Sequence, residues 1–171
     1  MTDRQPASLI VLLETDRQQW FAGAAGPDGP PLPLMCSDPG NLDQYVGEDF
    51  DRQLSFLRHR LAGVLQRGHD RLYARQLKAA HFLFVADGDF PDADPRLTQA
   101  LAEHFVQWMI KPPVGYARAP DDFAIRQADD LHLVAGELPA RAALDLPDAV
   151  RQLAQLRSEE GAWELIPRPA S

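Results

Sequence analysis

Ala80-His81-Phe82-Leu83-Phe84-Val85-Ala86-Asp87-Gly88-Asp89-Phe90-Pro91-Asp92-Ala93-Asp94-Pro95 reads as a strand, an acidic loop and the opening of a helix. Leu83 to Ala86 form an unbroken apolar run, the pattern of a strand covered on both faces. The run stops at Asp87-Gly88, and Asp87, Asp89, Asp92 and Asp94 then put four carboxylates into eight residues. Asp94 suits a helix N-cap, and Pro95 loses nothing at a first helical position. Leu97, Leu101, Phe105, Trp108 and Met109 follow at helical spacing and predict a wide apolar stripe. A buried strand with a crossover helix implies an α/β layered fold whose functional loops lie at the carboxyl ends of the strands.

Upstream, Leu9-Ile10-Val11-Leu12-Leu13 is a second continuous apolar run and predicts another central strand. The polar turn Glu14-Thr15-Asp16-Arg17 returns the chain into Gln19–Ala25, a strand rich in small residues. Gly26-Pro27-Asp28-Gly29 marks the next turn. Leu32–Cys36 reads as a third strand, and Pro30, Pro31 and Pro33, which cannot donate to a ladder, assign it to a sheet edge. Phe50, Leu54, Leu57, Leu61 and Val64 give the longest helix its apolar face, widened by Phe56 and Leu65. Glu48, Asp49 and Asp51 fall in its first turn, where negative charge suits the helix dipole. Gly68 is the expected terminator, with Arg71–Leu77 a further helical piece. Beyond Met109 the pattern weakens. Leu131–Leu138 fits helix or strand and is read as helix; Leu146-Pro147 opens another helix that Gly161 ends, and Trp163-Leu165-Ile166 is an apolar tail that packs back on the body.

The expected architecture is one α/β domain over 1–171. Its mixed sheet has about five strands, an antiparallel meander followed by a parallel fourth strand. The core spans about 8–117, and 118–171 is a mostly helical extension. The single Cys36 allows no internal disulfide and suits a reducing compartment. No apolar run reaches the ~20 residues of a membrane span, and Met1–Pro6 offers no apolar leader, so the expected location is cytoplasmic.

The order of elements from Leu9 to Met109 resembles the ribonuclease H-like topology. That resemblance implies acids on the first strand, early in the first helix and after the fourth strand, where two Mg²⁺ or Mn²⁺ ions would bridge them to a scissile phosphate. The matching positions are Glu14, Glu48 and Asp87 as catalytic acids, with Glu14, Asp16, Asp49, Asp87 and Asp89 as metal ligands. Each acid also has an ordinary role as a turn residue, first-turn helix residue or cap. Glu14 falls at the end of its strand rather than within it. The related actin-like ATPases need a glycine-rich first turn for phosphate, whereas Glu14-Thr15-Asp16-Arg17 is bulky and acidic. His59, His69, His81, His104 and His132 have neither the i, i+4 pairing nor the cysteine spacing of a zinc site.

A net charge of −8 opposes general nucleic-acid affinity. Against that balance Arg60, Arg67, Arg71 and Arg75 recur near helical spacing, with Arg52 and Arg58 close by; if the helix continues past Gly68 they form a basic stripe, which could dock an acidic protein surface. The expected function is therefore a non-catalytic protein- or ligand-interaction module without a cofactor. The alternative is the Mg²⁺- or Mn²⁺-dependent nuclease.

Overall fold

A computed structural model describes residues 5–15, 18–25, 31–37, 49–86, 96–110, 123–126, 133–137, 152–153, 155–156 and 163–166. Strands β1 (Gln5–Glu14), β2 (Gln19–Ala25) and β3 (Leu32–Ser37) precede helix α1 (Phe50–Ala74). Strand β4 (Leu77–Ala86) and helix α2 (Leu97–Ile110) follow, then the short strands β5 (Phe123–Arg126), β6 (Leu133–Glu137) and β7 (Glu164–Ile166). The seven strands form one mixed sheet in the order β5-β6-β4-β1-β2-β3-β7.

The two apolar runs behave as continuous hydrophobic strands must. β1 and β4 lie side by side and parallel, with Leu13 opposite Ala86, and no residue from Leu9 to Leu13 is more than 3% exposed. Alternation sends Leu9, Val11, Leu13, Phe84 and Ala86 to one face, against α1 and α2. Ile10, Leu12, Leu83 and Val85 go to the other face and pack with Phe21, Cys36, Leu153 and Trp163. Burial of both faces explains why neither strand shows a polar alternation.

Four expectations are corrected. Gly68 does not end α1; it lies in the buried stripe with Leu54, Leu57, Leu61, Leu65 and Leu72. A Cβ there would stand 3.0 Å from Ala22 Cβ and 3.3 Å from Leu9 Cδ1, so this glycine lets the helix approach the sheet. The helix stops instead at Arg75, after which Gln76 takes a left-handed φ of 64°.

The third strand is not an edge along its whole length. β7 pairs with Met35, Cys36 and Ser37, all beyond Pro33, so this pairing asks no ladder donor of a proline. Leu133–Glu137 is a strand rather than a helix: it pairs antiparallel with Leu83–Ala86 of β4 and with β5. Backbone groups on the free side of β4 are thereby satisfied, and Ala135 is buried on the helix side.

The described residues of 118–171 accordingly hold three strands, with helical residues only at 152–153 and 155–156, in place of a mostly helical extension. The expected strand at Val114–Ala117 and the Asp94 cap lie outside the described residues.

The apolar tail does pack back. Trp163 meets Phe21 edge-on at 5.1 Å between centroids, and its indole Nε1–H donates to the Leu156 carbonyl at 2.9 Å. Gly23 of β2 makes room for Leu153, whose Cδ2 lies 2.7 Å from where a Cβ would stand.

Candidate functional site

The carboxyl ends of β1 and β4 meet the N-terminal ends of both helices. Asp49 caps α1, its Oδ1 accepting from the Arg52 backbone N–H at 2.8 Å. The Arg96 guanidinium, beside the start of α2, lies 4.5 Å from the centre of the Phe50 ring. This edge is where the resemblance expected its acids. Glu14 stands opposite Gln19 and shares strand parity with Ile10 and Leu12, so it belongs to the face turned away from α1. Asp49 belongs to α1 itself.

On the helix side the positions are filled by Leu13, Trp20, Phe84 and Ala86, all buried. The Trp20–Phe84 and Phe84–Phe105 rings lie 6.2 and 5.9 Å apart. Among the described residues no group of three His, Cys, Asp or Glu comes together. Asp16, Glu48, Asp87 and Asp89 lie outside the described residues.

The basic residues are better placed. Because α1 continues through Gly68, Arg60, Arg67 and Arg71 stand seven and four residues apart on one uninterrupted helix and form a single row, each half-buried. Arg75, exposed at the C-cap, follows the row; its backbone N–H bonds the Leu72 carbonyl at 3.0 Å. The Arg71 guanidinium donates back to the Arg67 carbonyl at 3.5 Å. Arg58 lies on another flank, toward α2, where burial first and the Arg58 charge second lower the pKa of His104 below its ordinary value. The row therefore runs along the flank of α1 away from α2.

From Asp49 to Arg75 there are six arginines against Asp49, Asp51 and Asp70, a local excess of three positive charges. With −8 for the whole chain, the remainder carries −11.

At the N-terminal end of this surface, Arg52, Ser55, Phe56 and His59 line an open depression of about 350 Å³. Their spacing of i, i+3, i+4 and i+7 puts them on one face. The Arg60 guanidinium lies 5.9 Å from the centre of the Phe56 ring, which joins the depression to the arginine row. At the other end Tyr73, 52% exposed, stacks on His69 with ring centres 6.4 Å apart. Between them Gly63 faces open space, and a methyl group on its Cα would meet nothing within 4 Å.

The depression was not legible from sequence. Phe56 falls in the apolar period of the helix and reads as core, and His59 reads as solvated surface. The signal that was present is the pairing of an aromatic at the margin of the apolar stripe with arginines four residues to either side.

No protein-family model, curated protein or solved structure matches this chain. The fold and this surface together describe a mixed α/β protein with a basic helix laid across an acidic body. Among the described residues no helix is long and apolar enough to cross a membrane.

Proposed function

We propose that this protein is a non-catalytic interaction module whose first helix docks an acidic surface of a partner protein. The observation that carries the reading is the row Arg60, Arg67 and Arg71 on an uninterrupted α1, a local positive excess on a chain of net charge −8. Opposite charge on a partner steers its approach and selects against like-charged competitors. Arginine is the cation of choice for such a surface, because its planar fork grips a carboxylate in two hydrogen bonds. The half-buried stems of these arginines add apolar contact to the charge.

The nuclease reading draws on the ribonuclease H-like order of elements and on Glu14, Glu48 and Asp87. Against it, the helix side of the sheet at the relevant edge carries Leu13, Trp20, Phe84 and Ala86. Hard cations need several oxygen ligands, and Glu14 belongs to the other face.

Two measurements on the full chain separate the readings. Titration with Mg²⁺ or Mn²⁺ leaves the melting temperature unchanged and yields no cleavage of RNA–DNA hybrids if the module reading holds, since a cation bound by the native state must raise it. Retention on immobilised polyglutamate, weakening with salt and lost in the Arg60→Glu/Arg67→Glu/Arg71→Glu variant, supports docking through α1. A metal-dependent rise in melting temperature that Asp87→Asn abolishes reverses the assignment.

A further inference from the structure

The surface of α1 is not uniform: a concave patch interrupts it at one end. Resting on the docking role assigned to α1 above, we infer that the depression lined by Arg52, Ser55, Phe56 and His59 is its anchoring subsite. It takes one bulky apolar side chain of an acidic protein segment against the Phe56 ring, with a neighbouring carboxylate held by Arg52 and the Ser55 hydroxyl.

The shape selects the class of ligand. An enclosed small-molecule site buries most of its ligand on several walls, whereas this one is open and its described lining residues all belong to one helix. Its volume of about 350 Å³ suits a protruding side chain. The chemistry selects the side chain. A half-buried aromatic next to guanidinium groups is the composition of an interface anchor, in which an apolar contact is ringed by charge.

Continuity selects the rest of the partner. Phe56, Arg60, Arg67 and Arg71 succeed one another at intervals of four, seven and four residues. They lie along one side of a helix for roughly 22 Å at 1.5 Å per residue. A segment anchored at Phe56 thus runs over three arginines, and acidic residues on it meet them in turn. A second copy of this chain fits poorly, because both copies carry −8 and a symmetric α1-to-α1 contact would set arginines against arginines. Nucleic acid fits poorly too, since the row offers three cations on a body of opposite sign.

The test is fluorescence anisotropy on the full chain with three labelled synthetic peptides, one of Glu and Phe, one of Glu and Ser, one of Lys and Phe. The Glu/Phe peptide is expected to bind about tenfold tighter than the Glu/Ser peptide, and any binding of the Lys/Phe peptide, drawn by the acidic body, to survive the Arg60→Glu/Arg67→Glu/Arg71→Glu variant. Ser55→Glu, at an exposed helical position, fills the depression with a like charge. With its melting temperature unchanged it should abolish the advantage of Phe over Ser, while Arg60→Glu/Arg67→Glu/Arg71→Glu weakens both acidic peptides.

If Ser55→Glu keeps the preference for Phe while the arginine variant loses binding, the subsite is wrong and docking through the row stands. If the arginine variant binds both acidic peptides as the parent does, or neither binds the parent, the docking role falls as well. Displacement of the Glu/Phe peptide by duplex DNA more effectively than by unlabelled peptide overturns the assignment to a protein partner.

Discussion

The two sides of α1 carry the same residue type under opposite constraints. Gly68 faces the sheet, where a methyl group would meet Ala22 and Leu9; Gly63 faces outward into open space. The inner side is a close-packed surface of Leu54, Leu57, Leu61, Leu65 and Leu72 seated on β1 and β2. The outer side holds a depression and an exposed tyrosine, and the row of half-buried arginines runs along the margin between the two sides. One helix thus joins the core on one side and presents chemistry on the other. The rigid packing of the inner side is what gives the outer side fixed geometry.

The contrast breaks first in the core. Phe84→Ala removes a fully buried ring that touches both Trp20 and Phe105, and should cost about 3–5 kcal/mol in denaturant unfolding. Substitution of Arg67 by Ala on the outer row should stay within about 0.5 kcal/mol. Equal costs would erase the distinction between the two sides.

The glycines sharpen it further, because the same change should have opposite signs. Gly68→Ala presses a methyl on Ala22 Cβ, an atom fixed to the sheet, and is expected to destabilise by about 1–3 kcal/mol. Gly63→Ala meets nothing and should stabilise by up to about 1 kcal/mol through helix propensity. A melting-temperature pair that moves in the same direction would refute the close approach of α1 to the sheet.

At the ends of the helix the effects are smaller. Asp49→Ala removes the side-chain acceptor for the Arg52 N–H and should cost about 1 kcal/mol.

The smallest effect concerns pH. His104 has a pKa below 6.5 in the folded protein, from burial first and Arg58 second. The unfolded chain therefore binds the proton more readily. The contribution to stability is complete above pH 6.5 and is lost as the pH falls through 6.5 toward the lower folded value. Chemical denaturation at a series of pH values should show a shallow decline over that window, and His104→Gln should flatten it.

The central pair of strands was legible because Leu9–Leu13 and Leu83–Ala86 are short, apolar without interruption and followed by turn residues, the pattern of a strand covered on both faces. The arginine row was legible as spacing, although its continuity depended on how Gly68 was read. Glycine near a helix end ordinarily signals a cap, and nothing local distinguishes it from a glycine that a neighbouring strand requires. Leu133–Glu137 was misread for a similar reason. Its few apolar residues fit either period, and the free side of β4 decided between them. The depression at Phe56 escaped because an aromatic at the margin of an apolar stripe is indistinguishable in sequence from one wholly inside it.

Local pattern alone settled which segments bury both faces, where α1 carries its apolar stripe, and that its charge opposes that of the rest of the chain. These are properties of neighbours a few residues apart, and period and composition report them directly. Tertiary contact decided the rest: β6 rather than a helix beside β4, β7 beyond the prolines of β3, Gly68 under Ala22 and Leu9, and Glu14 on the face away from α1. Each depends on a partner distant in the chain, whose position no local period encodes.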